Sequence, residues 1–171
     1  EEGEISVQSL RVQAGRANAD GFLTGDLAVA EGAVFSPGDG IGTLTVNGAF
    51  SAADGAQLVF EIGEETSDLL VLGNGSTLDI ADDAILELLF TDADPSKTYT
   101  LIEAKDGFGE LLNAEFWSGL LSEESAENWH LAVVDNTLQL LAGASDAVPE
   151  PSTWALLLLG SFGLLYCRKK K

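Results

Sequence analysis

An apolar–polar–apolar triplet returns along the first half of the chain. Leu10 and Val12 begin it; Leu27 and Val29, then Leu44 and Val46, follow at two equal steps. Phe60 and Ile62 come next with a one-position slip, and Leu78 and Ile80 restore the spacing. Alternation of this kind marks a strand with one face buried. The stretch LAVAEGAVF from Leu27 also returns as LDIADDAIL from Leu78, a displacement of three such steps. Between the triplets stand Asp20-Gly21, Gly38-Asp39-Gly40, Asp54-Gly55, Gly73-Asn74-Gly75 and Asp82-Asp83, residues that accept the left-handed conformations of sharp corners. Strand, corner and strand at a constant period predict an all-β fold built as a parallel β-helix, each pass burying its neighbour's inner face. An antiparallel sandwich also places short strands at roughly every 8–12 residues. It gives no reason for equal returns, so the period favours stacking.

Beyond the repeats the pattern changes twice. Thr98 to Ala104 (TYTLIEA) alternates as a strand. Leu112, Phe116 and Leu120 then fall four apart with Trp117 and Leu121 beside them, as on one helix face. The polar run Ser122 to Glu127 follows, and the whole reads as a short capping helix or an ordered loop over the end of the stack. WHLAVVDNTLQLLA predicts two strands about the turn pair Asp135-Asn136. The division expected is a β body over 1–142, a small-residue linker over 143–147 and a distinct tail over 148–171.

That tail has three parts. Val148, Pro149, Glu150 and Pro151 make a rigid break, because proline drives the residue before it out of the α conformation. Ser152 to Cys167 carries no charge, and Arg168, Lys169, Lys170 and Lys171 close the chain. A helix over that uncharged run is about 24 Å long, short of a ~30 Å hydrocarbon core. Snorkelling cations and local thinning bring it across. Its apolar anchor is Leu156, Leu157, Leu158, Leu159, Phe162, Leu164 and Leu165, with Trp154 and Tyr166 near the two ends, where amphipathic rings favour headgroup level. The pattern therefore predicts a transmembrane helix with its basic stop in the cytoplasm and everything before Val148 facing outward. A buried core helix gives no reason for four adjacent cations at its end.

Charge sharpens this picture. The chain has 28 acidic and 8 basic residues. Without residues 150–171 the remainder keeps 27 acids and 4 bases, a formal charge of −23. Such a body repels nucleic acid and anionic lipid and suits an exported protein that attracts divalent cations loosely. With no Met in the sequence, an export signal is expected upstream of Glu1. Cys167 is the single cysteine, so no intramolecular disulfide forms. At the membrane edge it is filler or a site for an acyl chain.

The tail resembles the PEP-CTERM sorting signal of Gram-negative bacteria: Val148-Pro149-Glu150-Pro151, then an apolar helix, then a basic end. The resemblance implies recognition by an exosortase, transient anchoring in the inner membrane, and delivery to the cell surface or extracellular matrix. The Gram-positive sortase pattern Leu-Pro-x-Thr-Gly is absent. A second resemblance, over about residues 8–105, is to the β-helical repeats of autotransporter-type passenger domains. It rests on Ser36-Pro37-Gly38, on Gly42, Thr43, Leu44, Val46 and Gly48, on Gly55, Leu58, Glu61 and Ile62, and on Asp68, Leu70 and Leu72. It implies a fold more than a task, and the family's outer-membrane barrel has the sorting tail in its place.

Catalytic and metal chemistry find little support. His130 stands alone between Trp129 and Leu131, without a second His or a nearby Cys for a zinc set and without a Gly-x-Ser-x-Gly elbow. A glycosidase or polysaccharide lyase on a β-helix needs carboxylates and cations on one face; the body offers only Arg11, Arg16, Lys97 and Lys105, widely spaced. Asp79, Asp82 and Asp83, and Asp92 with Asp94, match no calcium-loop pattern and read as solvated corners. The expectation is a non-enzymatic surface or matrix protein without a cofactor or dedicated metal. Its partners are an exosortase, the inner membrane and extracellular polysaccharide. The alternative is a carbohydrate-active β-helical enzyme with the same address.

Overall fold

The structure is a computed structural model and describes residues 4–122 and 128–143. Among these, thirteen strands and one short α-helix make a mainly β body. The chain runs through β1 (Glu4–Val12), β2 (Arg16–Asn18), β3 (Gly21–Val29), β4 (Val34–Ser36), β5 (Thr43–Asn47), β6 (Ala49–Ala52), β7 (Gln57–Ile62), β8 (Leu69–Leu72), β9 (Thr77–Ile80), β10 (Ile85–Phe90) and β11 (Thr98–Ala104). A 3₁₀ turn (Gly109–Leu112) and α1 (Ala114–Leu120) follow, then β12 (Trp129–Val134) and β13 (Thr137–Ala142). A curled nine-stranded sheet in the order β12-β13-β11-β8-β5-β3-β6-β9, with β1 also on β3, packs against a four-stranded sheet β10-β7-β4-β2. All strand pairings among β1 to β11 are parallel.

The alternation in sequence does what it predicts along each strand. β5 buries Leu44 and Val46 and turns Thr43 and Asn47 outward; β6 and β8 repeat the rule. The inward side chains form one core, with Phe35, Phe50, Phe60, Leu27, Ile62 and Leu86 among those fully buried. Phe35 of the small sheet meets Phe50 of the large one at 6.0 Å between ring centres, so both sheets close on the same interior.

The expected equal coils of a parallel β-helix are corrected. Leu10 does lie opposite Leu27, as the first equal step requires. But β3 is long enough to carry two successors side by side. Its first half faces β5, with Gly21 opposite Leu44 and Leu23 opposite Val46; its second half faces β6, with Leu27 opposite Phe50. Leu44 therefore never neighbours Leu27 on the ladder. The echo of Leu27 at Leu78 is real and arises in two unequal steps, Leu27 to Phe50 and Phe50 to Leu78. Successive passes lengthen because corners grow: Leu44 lies opposite Leu70, and Leu70 opposite Ile102 after a longer excursion. What is established is a mainly β body with a curled sheet, rather than a regular β-helix.

One corner recurs in register. Ala30 to Ala33, Ala53 to Ala56 and Ala81 to Ala84 are closed by the same bond, the amide of the fourth residue donating to the carbonyl of the first at 3.0, 3.0 and 3.1 Å. Neighbouring corners bond to one another as well: Gln57 N–H donates to Ala33 O and Ile85 N–H to Ala56 O. Ala33, Ala56 and Ala84 are buried, so the stack admits only a methyl at that point.

The far end closes differently. β13 pairs antiparallel with β11 and with β12, about a turn where Asp135 takes φ 51°. The hairpin and the strand Thr98–Ala104 stand where the sequence places them. α1 is capped by Asn113, whose side chain accepts from Glu115 N–H at 2.8 Å, and it buries Trp117 and Leu120. Trp117 packs edge-on to Phe108 and Phe116. After the helix, Leu121 bridges to Leu86 of β10 and Ser122 N–H donates to Leu86 O, so the helix serves as the cover expected there. Among the described residues no helix is long and apolar enough to cross a membrane; the expected transmembrane segment, Ser152 to Cys167, lies outside them.

Candidate functional site: the C-terminal exit and the polar knots of the body

The strongest functional pattern in the sequence is the tail, and its residues lie outside the described part of the chain. This covers the motif Val148, Pro149, Glu150 and Pro151, the apolar anchor from Trp154 to Tyr166, and the basic stop from Arg168 to Lys171. What the structure gives is the point of departure. Gly143, at φ 118°, follows β13; its N–H donates to Asn128 O at 3.0 Å, and its carbonyl lies 3.0 Å from His130 Nδ1. His130 is thus an edge-strand residue that pins the end of the body. Beside it Trp129 stacks on Phe90 (5.2 Å, 18°) and leans on Tyr99 (5.9 Å). Five Cα steps separate Gly143 from Val148, a reach of at most about 18 Å.

Several of the separate motif residues of the sequence meet at one buried carboxylate. Asp68 is fully buried. One of its oxygens accepts from Gly42 N–H at 2.8 Å; the other accepts from Glu61 N–H at 2.9 Å and Ser36 Oγ–H at 3.2 Å. Ser36, Gly42, Glu61 and Asp68, drawn from four separate positions along the chain, are therefore one knot. Burial pushes the Asp68 carboxyl above the usual carboxylate range, and the three donors oppose that shift. Sequence reading finds these residues as parts of separate motifs and misses the knot. In a chain with this many exposed acids, nothing local separates a buried Asp from a solvated one.

The remaining carboxylates and cations do not converge. Asp94 closes a turn, accepting from Ser96 N–H at 2.8 Å and Ser96 Oγ–H at 2.7 Å, bonds that hold its carboxyl below the usual range. Lys97 pairs with Glu65 at 2.5 Å, Lys105 with Glu103, and Arg16 approaches Glu61 at 4.0 Å. Arg11 stands in an outward row with Ala28, Ser51 and Asp79. Among the described residues no three His, Cys, Asp or Glu side chains are placed to hold a metal ion. Open grooves of about 400 Å³ mark the surface of the described residues.

Residues 147–171 match the model of the PEP-CTERM protein-sorting motif. Proteins bearing this motif are directed out of the cytoplasm to the envelope and processed by an exosortase, which makes that enzyme a partner of the chain. No curated protein and no solved structure matches the chain.

Proposed function

We propose that the chain is a non-enzymatic surface or extracellular-matrix protein, held in the inner membrane by its tail until an exosortase cuts at or near Val148-Pro149-Glu150-Pro151. The observation that carries this reading is the motif match at residues 147–171, which begins shortly after the last strand of the β body. A short linker then holds an extended, proline-stiffened site close to the bilayer, where a membrane-embedded transpeptidase works. We read the body as a parallel β-helix of unequal passes. The parallel register and stacked alanine corners support this, and its role is that of a stiff acidic module for adhesion or for organising extracellular polysaccharide. The lack of convergence among the four body cations favours this over a lyase.

Replacing Pro149, Glu150 and Pro151 together by alanine removes the break and continues the helix upstream. In a host that makes an exosortase, the altered chain is expected to stay in the inner-membrane fraction with Lys171 intact, while the parent loses its tail. Mass spectrometry of both C-termini reads the result. A parent protein on surface material that still ends in Lys171 would falsify the processing step.

A further inference from the structure

Among the described residues the large sheet has an open edge beside β9. β3 runs unbroken through both halves of its pass; β5 leads into β6, and β8 into β9. The next pass supplies only the first half. β11 covers β8 through Ile102, Glu103 and Ala104, and Lys105 N–H still donates to Leu72 O at 3.0 Å. The chain then turns away at Gly107 and Gly109, both at positive φ, into the 3₁₀ turn. Position for position, the residues after Lys105 would have paired with β9. Instead, among the described residues, β9 pairs with β6 alone.

The space left is a groove of about 400 Å³ between the backbone of β9 and the segment 106–111. Leu78, Phe108 and Leu111 give it apolar sides, and Asp79 and Asp106 stand at its rim. No cation lines it among the described residues. Ala81 N–H donates to Ala52 O. Because N–H groups alternate along a strand, those of Thr77 and Asp79 also face β6, and those of Leu78 and Ile80 face the open edge, with Leu78 lining the groove. β9 is four residues long, about 13 Å of open ladder.

We propose that this groove binds an extended basic peptide by strand addition, the peptide taking the vacant place beside β9. Main-chain bonds to Leu78 and Ile80 supply the pairing, and alternate side chains reach the apolar wall formed by Phe108 and Leu111. Charge selects the occupant. A second copy of this body brings another −23 formal charges and is repelled, whereas Lys or Arg side chains at alternate positions meet Asp79 and Asp106. The proposal is independent of the sorting reading, because its test measures binding at β9 and no processing.

The test uses the full chain in nonionic detergent micelles and a fluorescent peptide of about ten residues alternating Lys and Val, read by anisotropy. Leu78→Pro removes a groove-facing N–H, a change that edge strands tolerate. It is expected to weaken binding at least about tenfold while the melting temperature holds within a few degrees. Hydrogen exchange on the parent chain should slow at Leu78–Ile80 when the peptide is added, and this measurement decides the matter should the proline variant fail to fold. Equal binding by parent and variant is simple attraction to an acidic surface and overturns the proposal. So does an absence of added protection at β9, or no binding at all.

Discussion

Asp68 gathers three donors from three separated parts of the chain, and its carboxylate is matched to them because it only accepts. Asparagine keeps the shape, yet either placement of its amide sets an N–H₂ against at least one donor, because both carboxylate oxygens are in use. Asp68→Ala orphans the Gly42 and Glu61 amides and is expected to cost about 3 kcal/mol or more, seen as a lower urea midpoint. The pH dependence has a definite sign. Burial raises the folded-state pKa of Asp68, so the native chain holds this proton to higher pH than the unfolded chain does. The resulting cost is fully present above the raised value and is relieved as pH falls through it towards the ordinary carboxylate value of 3.8. Asp68→Asn cannot titrate. The stability gap between parent and Asp68→Asn is therefore expected to widen between about pH 7 and about pH 4. A gap that narrows would mean that the three donors outweigh desolvation. Asp94 works the other way. Its lowered pKa contributes stability above the ordinary carboxylate range, lost as pH falls through the folded value.

The stacked alanine corners are the element on which parallel passes align. Each corner bonds within itself and to its neighbour, and the buried methyl of Ala33, Ala56 or Ala84 sets how closely consecutive passes approach. Ala56→Leu overfills the middle corner and is expected to cost about 1–3 kcal/mol. Asp54→Ser, off the packed face, should stay within about 0.5 kcal/mol; urea titration of both variants checks the contrast. These elements also show what can be read without coordinates. The hairpin about Asp135-Asn136, the strand Thr98–Ala104 and the helical face of Trp117 and Leu120 are local patterns, and local physics suffices for them. Pass length is different, because corner size is set by packing on the preceding pass. The equal spacing that sets Leu44 after Leu27 is a coincidence of β3 being long enough to pair with both β5 and β6. The echo of Leu27 at Leu78 survives because it compares two members of one ladder. The tail is legible for an opposite reason: a sorting segment is read by another protein as sequence, so its signal lies in residue order. Asp68 and the vacant place beside β9 depend on contacts between distant passes, and no window of sequence contains them.

Across the whole molecule the acidic charge is spread, and its consequences follow from that spread. The carboxylates of Asp54, Asp79, Asp82 and Asp83 sit at or beside stacked corners, where successive passes bring like charges near one another. Their repulsion opposes the compact state, and exposed charges of this kind are screened within ~10 Å at 0.1 M salt. Raising NaCl from about 10 mM to about 300 mM is therefore expected to raise the melting temperature by several degrees. CaCl₂ at matched ionic strength discriminates loose attraction from a built site. With no metal-holding cluster among the described residues, the calcium curve should follow the sodium curve apart from the small excess a divalent counterion brings. A saturable rise at micromolar calcium would mean that a site is completed by residues beyond those described. The same spread bears on release. On the proposed membrane anchorage, a body of −23 formal charge, tethered within about 18 Å of the processing motif, is pushed away from an anionic bilayer surface until it is released. Cutting at the motif relieves that strain at once, so at low salt the cleaved body should leave the membrane fraction without detergent, and fractionation after processing reads it directly.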